Sequence, residues 1–302
     1  MATKFGFDVI IIGGSYSGLA AGMALGRASK KVLIIDDEKP CNSQTPFSHN
    51  FITHDGDTPA GIAAVAKLQV RRYNTVEFFQ GRAIKGSRAD NHFEIEVTTG
   101  ERFASKKLIF ASGIKDLMPD IGEISSCWGI SVLHCPYCHG YEVKNEKTGI
   151  LSNGDAGYDF CRLISNWSSE LTLFTNGTST LTSQQKDKLS DRNISIIEKE
   201  IKRIEHLKGY IQDIVFTDDA KFSLKVLYAP VRFEQHCTIP QSIGCEITDD
   251  GYIKVDMFQE TTINGVFACG DNSSSIRTVA NAVATGTFTG ISVSKKMILA
   301  EF

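Results

Sequence analysis

The sequence predicts an α/β fold with two Rossmann-like nucleotide-binding domains, because one strand–turn–helix–strand unit occurs twice in the chain. In the first copy, an apolar β-branched strand meets a glycine turn at Gly13, Gly14, Ser15 and Gly18, and the strand after the helix ends at Asp36. Glycines in this turn let backbone approach a pyrophosphate, and an acid at Asp36 accepts hydrogen bonds from a ribose hydroxyl. The first copy therefore predicts a dinucleotide site.

The second copy repeats the order later in the chain. A strand reaches Ser152, a turn follows with Gly154 and Gly157, and a second strand ends at Thr175. The interval from the turn to the end of the second strand is 23 residues in both copies. Gly154 and Gly157 are thus candidates for a second, nicotinamide-nucleotide site, although Thr175 offers no charge to a ribose.

Length and composition agree with a folded protein of two domains. The chain has 302 residues, of which 42% are hydrophobic and 22% are charged, proportions that exclude wholesale disorder and collagen. A formal charge of −3 gives no attraction for nucleic acid or an anionic membrane. No apolar run reaches the roughly 18 residues of a membrane span, and no signal peptide is recognisable, so a cytoplasmic location is expected.

Further strands and one helix are expected between and after the two copies. A predicted C-terminal helix covers Thr278 to Lys296, which is rich in alanine and small residues. The predicted strands are 94–97, 107–113, 211–216, 224–228 and 265–271.

Among eight cysteines, only Cys135 and Cys138 have the spacing of a motif. Three interpretations are open for this Cys-x-x-Cys-His string. It is an attachment signal for c-type haem in exported proteins, and it could supply part of a zinc site, although no second Cys-x-x-Cys completes four ligands. The third is a redox dithiol, whose two intervening residues allow a short disulfide ring. The position just before the second nucleotide unit favours the redox dithiol.

Taken together, these motifs resemble the low-molecular-weight thioredoxin reductases, members of the FAD-dependent pyridine nucleotide-disulfide oxidoreductases. The resemblance covers nearly the whole chain. Its features in chain order are the Gly13 fingerprint, Ala111-Ser112-Gly113, the cysteine pair, the second fingerprint and a C-terminal Ala268-Cys-Gly-Asp271 motif.

The resemblance implies a three-layer ββα fold in each domain and a homodimer. It implies a discontinuous FAD-binding domain at 1–116 and 240–302, and an inserted NAD(P)-like domain at 117–239 that carries the cysteine pair. The loop from Pro40 to Phe51 would lie along the flavin. The electron partner would be a separate thioredoxin-like protein or a small dithiol or disulfide.

The resemblance also assigns roles to residues. Cys138 would face the flavin and Cys135 would attack the outside substrate. Asp271 would bond the ribityl chain of FAD. The full set expected to hold FAD is Gly13, Gly14, Ser15, Gly18, Asp36, Ala111, Gly113, Gly270, Asp271, Arg277, Thr278 and Val279.

Two departures from the thioredoxin reductases affect the expected chemistry. Reductases that use NADPH carry a His-Arg-Arg cluster where this chain has Thr175-Asn-Gly-Thr-Ser179, so no cation is available for a 2′-phosphate. The use of NAD(P)H is therefore uncertain. The reductases also carry an aspartate acid where this chain has His139, whose imidazole can serve as acid or base near neutral pH. His134 is a second candidate for that role.

The sequence thus predicts an FAD-dependent thiol/disulfide oxidoreductase that works through Cys135 and Cys138. The histidine after the pair also resembles fungal dithiol oxidases of the gliotoxin type, so an oxygen-dependent dithiol oxidase is the alternative. A binding or zinc module without redox activity is a more distant one.

Overall fold

The computed structural model describes residues 3–89 and 91–302. The strands are β1 (Lys4–Ile12), β2 (Val32–Asp36), β3 (Val76–Gln80), β4 (Ala83–Arg88), β5 (Phe93–Val97), β6 (Arg102–Phe110), β7 (Ile114–Leu117), β8 (Val132–Leu133), β9 (Thr148–Leu151), β10 (Leu171–Phe174), β11 (Ser195–Ile197), β12 (Ile201–Leu207), β13 (Tyr210–Phe216), β14 (Lys221–Ser223), β15 (Val226–Tyr228), β16 (Arg232–Gln235) and β17 (Val266–Ala268). The helices are α1 (Tyr16–Arg27), α2 (Pro59–Val70), α3 (Ile124–Cys127), α4 (Pro136–His139), α5 (Gly154–Ile164), α6 (Ser183–Ser190), α7 (Ile239–Ser242) and α8 (Val279–Glu301).

The chain divides into two compact units. The first takes the chain up to Ser43, resumes over Asn50–Lys115 and ends with Phe233–Phe302. The second consists of Gln44–His49 and Asp116–Arg232. The short segment 44–49 thus belongs to the second unit although both of its flanks belong to the first. That membership was not expected from the sequence, and the position of the loop 40–51 along a flavin stays a prediction.

The first unit is built on a sheet with the order β3-β2-β1-β6-β5-β4, with β17 beside β6. Neighbouring strands pair parallel from β3 through β2, β1 and β6 to β17. The pairs β6–β5 and β5–β4 are antiparallel. The apolar run Val9–Ile12 is almost fully buried because both faces of the parallel sheet are covered. Val9 and Ile11 pack in a cluster with residues of α1 and α8, and Ile10 and Ile12 pack with Phe93 and Ile95 of β5.

The first unit thus combines a parallel sheet, an antiparallel extension and packed helices, and it confirms the predicted α/β, Rossmann-like fold. Helices α1 and α8 approach closely because α8 has glycines at their contact. A Cβ added to Gly286 would lie 2.1 Å from the carbonyl oxygen of Ser17, and one added to Gly290 would lie 2.6 Å from that of Ala21. The small residues of α8 therefore serve helix packing in this unit.

The second unit contains a parallel sheet with the order β11-β10-β9-β15-β8 and an antiparallel sheet with the order β12-β13-β14. The segment β9–α5–β10 has the same order as β1–α1–β2, as the 23-residue repeat predicted. Strand β15 lies between β9 and β8 and pairs parallel with both. Strand β8 ends at Leu133, so the cysteine pair begins at the carboxyl edge of this sheet, where α/β proteins place functional residues.

No helix in the described part of the chain combines the length and apolar character needed to cross a membrane.

Candidate active site

The cysteine pair lies on one tight turn of the second unit. Cys135 precedes the single helical turn of α4, and Pro136 occupies its first position, where a missing N–H costs nothing. The amide of Cys138 donates to the carbonyl oxygen of Cys135 over 3.3 Å. The two Sγ atoms are 3.0 Å apart as thiols, with Cys138 donating. Both side chains are partly exposed, so the pair combines close sulfurs with access from outside.

The imidazole of His139 has a low affinity for a proton. Burial lowers its pKa, the nearby His49 lowers it further, and the carboxylate of Glu142 opposes both. The rings of His49 and His139 meet edge to face, with centroids 6.4 Å apart. Nδ1 of His49 lies 3.5 Å from Oε1 of Glu142, an ion-pair distance. His139 is therefore mainly neutral near pH 7, the state in which an imidazole accepts a proton.

His134 is held by an aromatic neighbour. Its ring stacks on Trp128 with centroids 5.7 Å apart and an interplanar angle of 26°. The indole Nε1 of Trp128 in turn donates to Oδ2 of Asp116 over 3.2 Å. These contacts give His134 a packing role, and its catalytic role stays a prediction.

The described residues contain no group of three or more His, Cys, Asp or Glu side chains placed to hold a metal ion.

The first glycine turn brings the predicted phosphate-binding residues of the first unit together. Gly13 has φ +104°, and a Cβ added to it would lie 2.2 Å from the carbonyl oxygen of Ala111. A Cβ on Gly18 would lie 1.9 Å from the carbonyl oxygen of Gly13. The amide of Gly14 donates to Oδ1 of Asp36 over 3.0 Å. The turn therefore needs its glycines, and it lies at the carboxyl end of parallel strands, where a dinucleotide binds.

Ser15 fits the second glycine position of this turn. It is the N-cap of α1, and its side chain makes no capping hydrogen bond. Gly113 follows β6 with φ +64°, and a Cβ there would meet no atom within 4 Å. Both residues lie in the first unit with the glycine turn.

The C-terminal motif lies in the same unit. Gly270 has φ +81°, and its amide donates to Oγ1 of Thr285. Oδ2 of Asp271 lies 4.0 Å from Nε of Arg277, and both side chains are largely buried. Thr278 caps α8 by accepting a hydrogen bond from the amide of Asn281, and Val279 follows as the first residue of the helix.

Asn272, which the sequence did not single out, adds an unused acceptor to this region. It is completely buried, and its Nδ2 donates to the carbonyl oxygen of Phe110 and to Oγ of Ser112. Its Oδ1 has no hydrogen-bond partner within residues 3–89 and 91–302. A buried acceptor of this kind usually has a partner. The glycine cradle and this oxygen therefore fit a bound ligand with hydroxyl or amide donors, as FAD has.

The second glycine turn is filled by its own side chains. Asn153 caps α5, and its Oδ1 accepts from the amides of Gly154 and Thr180 over 2.8 and 2.9 Å. Its Nδ2 donates to the carbonyl oxygen of Thr178 over 2.9 Å. The first amide of this helix, that of Gly154, is thus engaged by Asn153 and not available to a pyrophosphate.

The loop after β10 is held by its own hydrogen bonds. Oγ1 of Thr175 donates to the carbonyl oxygen of Gly177 over 2.6 Å. The amide of Ser179 donates a hydrogen bond to the carboxylate of Glu198. This bond and the one from Lys186 lower the pKa of Glu198. An acid, Asp155, stands in the first turn of α5. Glu198 is paired with Lys186 at 3.2 Å, so the side chains of this loop are held by one another.

Comparisons with known proteins identify relatives of the whole chain. The profile of the pyridine nucleotide-disulphide oxidoreductases matches residues 7–286. Thioredoxin reductase tcpT of Claviceps purpurea is 29% identical, over 99% of this chain and 96% of that protein. Thioredoxin reductase aclD of Aspergillus oryzae is 27% identical, over 98% of each. The crystal structure of an oxidoreductase from Agrobacterium tumefaciens is 33% identical with a TM-score of 0.90, over 97% of this chain and 99% of that one.

Proposed function

The chain belongs to the pyridine nucleotide-disulphide oxidoreductase family, and from this premise we propose that its thiol/disulfide exchange takes place at Cys135 and Cys138 with FAD bound to the first unit. The single observation that carries the proposal is the pair of sulfurs 3.0 Å apart beside His139. FAD, when bound, supplies a carrier that takes or gives two electrons. The chain supplies the thiols, the proton transfers and the binding of the cofactor.

The first unit offers the residues that would hold FAD. The pyrophosphate of FAD would lie at the turn of Gly13, Gly14, Ser15 and Gly18, and the adenosine ribose of FAD would lie at Asp36. Ala111 and Gly113 line the neighbouring strand end. Gly270 and Asp271 would bind the ribityl chain, and the segment 277–279 would bind the edge of the flavin ring. This assignment rests on the close backbone approach at Gly13 and on the buried acceptor of Asn272.

In the reductive direction, the Cys135 thiolate attacks one sulfur of the substrate disulfide and the other leaves as a thiolate. Cys138 then attacks the Cys135 sulfur, forms the Cys135–Cys138 disulfide and releases the second substrate thiolate. Two electrons have passed to the substrate, and two protons complete its thiols. His139, neutral near pH 7, would take the proton of the attacking thiol and return it to a leaving thiolate. Renewed reduction of the pair requires two electrons, which bound FAD would supply in its reduced form.

Asp271→Ala tests the proposed flavin site. We expect the purified variant to retain much less FAD than the parent, which should bind about one FAD per chain, because the ribityl hydroxyls lose an acceptor. Flavin absorbance relative to protein absorbance measures this. Asp250→Ala is the matched control, since Asp250 is an acid of the same unit outside the motif. Equal flavin retention in both variants would remove Asp271 from the site.

A second candidate function runs the same exchange in the oxidative direction. The engaged amide of Gly154 and the carboxylate of Asp155 at the start of α5 favour a protein that binds NAD(P)H weakly. An enzyme with a weak reductant site fits a dithiol oxidase, in which a substrate dithiol reduces the Cys135–Cys138 disulfide and oxygen finally accepts the electrons. This oxidase is our alternative to the reductase.

We expect NADPH to have little advantage over NADH, and both to reduce the flavin poorly. A 2′-phosphate without an Arg or Lys partner loses two charge-assisted hydrogen bonds, which corresponds to roughly 10²-fold or more in discrimination. Anaerobic mixing with each nucleotide, followed by flavin absorbance, measures this. Rapid reduction by micromolar NADPH, with NADH at least about 100-fold less efficient, would contradict the expectation. If a dithiol bleaches the flavin and air restores it, the oxidase is favoured.

We also propose a cytoplasmic homodimer that acts on a thioredoxin-like protein or on a small dithiol or disulfide. The names of the fungal relatives support a thioredoxin-like or disulfide substrate. Exposed apolar side chains on α8, including Phe288, Ile291 and Leu299, support self-association of the first unit.

A further inference from the structure

The hydroxyl of Tyr228 is a buried donor without a partner. Its side chain is 1% exposed, and the oxygen has no hydrogen-bond partner in the described part of the chain. The ring packs in one cluster with Leu133, Ile150 and Cys161, and it meets Phe160 edge-on with centroids 6.0 Å apart. Phenylalanine would fill this apolar site without an unsatisfied hydroxyl, so the oxygen is destabilising unless it gains a partner during function.

Strand pairing places Tyr228 beside the start of the cysteine turn. Tyr228 is the Cα partner of Leu133 in the parallel pair β15–β8. The amide of Ala229 donates to the carbonyl oxygen of Leu133 over 2.8 Å, which fixes the register at this edge. Cys135 follows Leu133 by two residues. The orphan hydroxyl and the attacking sulfur therefore belong to one corner of the second unit.

The charges around the hydroxyl keep it protonated. Burial raises the pKa of Tyr228, and the charges of Cys135, Glu142 and Cys138 raise it further. Cys161, which faces the same cluster from α5, stays neutral because burial raises its pKa to about 12. Tyr228 is thus a donor at every working pH.

We propose that the Tyr228 hydroxyl donates a hydrogen bond to the sulfur of Cys135 once that sulfur becomes a thiolate. The inference rests on the proposed function, in which Cys135 is the attacking thiol. A neutral thiol is a weak acceptor, whereas a thiolate is a strong one. The bond therefore forms only in the reactive state, and it favours the thiolate over the thiol. While the cysteine pair is in the dithiol form, the Tyr228 hydroxyl has no acceptor among the described residues. It becomes a donor when Cys135 is a thiolate.

Tyr228→Phe removes only the oxygen and tests the proposal directly. In the anaerobically reduced holoenzyme, the rate of iodoacetamide labelling at Cys135, followed by peptide mass spectrometry across pH, gives the pKa of that thiol. We expect this pKa to rise by about one unit, leaving about tenfold less thiolate at neutral pH. The unfolding temperature should stay the same or rise, because a buried hydroxyl without a partner is gone. Tyr158→Phe, in the same cluster, is the matched control and should leave the labelling profile unchanged.

An unchanged Cys135 profile in Tyr228→Phe overturns the proposal, and so does an equal shift in Tyr158→Phe. A second hydroxyl-free variant, Tyr228→Met, should reproduce the shift even if its packing lowers the unfolding temperature. The labelling profile is independent of turnover, so this result is separable from the proposed function. That function fails instead if Cys135→Ser still turns over disulfide or dithiol substrates.

Discussion

Replacing either cysteine of the pair by serine should abolish turnover, by more than roughly 10³-fold, because a hydroxyl cannot replace a thiolate as nucleophile or form the internal disulfide. The two variants should nevertheless differ in colour. In Cys135→Ser the remaining thiolate is Cys138, the sulfur expected to face the flavin, and it should add long-wavelength absorption. Cys138→Ser leaves the outward sulfur and should lack that band. Absorption spectra between pH 6 and 9 and steady-state assays measure both effects.

The matched control for these variants is Cys41→Ser. Cys41 is exposed and lies outside the cysteine turn, so its replacement should leave turnover unchanged. A long-wavelength band in Cys138→Ser but not in Cys135→Ser would exchange the two roles. Full activity in either variant would remove the pair from the reaction.

His139→Ala should slow turnover by roughly 10²- to 10⁴-fold, the range for loss of a general acid or base. Burial and His49 lower the pKa of His139. The imidazole therefore stays neutral at pH values somewhat below the ordinary pKa of a histidine. The parent should therefore keep its activity as the pH falls through about 6.5 and lose it only in more acidic solution. His139→Ala should lack this acidic limb. Turnover measured as a function of pH tests both statements.

His54→Ala provides the control for His139. His54 is paired with Asp57 through Nδ1 at 2.8 Å in the first unit, so its loss removes a histidine–carboxylate pair without touching the cysteine turn. His139→Asp should recover part of the activity, since a carboxyl group can also transfer the proton. A change below about threefold in His139→Ala would show that the imidazole is only structural.

The two fingerprints and the cysteine pair could be predicted because their signals are local. A β-branched strand, a glycine turn and a helical pattern follow one another within one copy, and Cys135 and Cys138 are three residues apart. The structure confirms the α/β fold and the repeated strand–helix–strand order that these patterns predicted. Asn153 could also have been found, since asparagine before the first turn of a helix is a common cap.

The surroundings of the pair could not be predicted, because they depend on contacts between distant segments. His49 reaches the neighbourhood of His139 only because segment 44–49 packs with the second unit. Tyr228 lies beside Leu133 only because β15 pairs with β8, which no short-range pattern specifies. Asn272 gave no signal because a buried amide next to Asp271 is indistinguishable in sequence from a turn residue. Local motifs therefore predict a candidate reactive pair of sulfurs, whereas tertiary packing decides what surrounds them.

The membership of segment 44–49 in the second unit has a practical consequence for dissecting the protein. A fragment cut at the obvious boundaries, 116–232, would contain the cysteine pair and His139 but would lack His49 and its contact with Glu142. Chimeras that exchange only residues 116–232 between relatives would likewise combine segment 44–49 of one protein with the cysteine pair of another. Grafts intended to transfer the redox properties of this protein should therefore carry 44–49 together with 116–232, as two separate pieces of one exchange module.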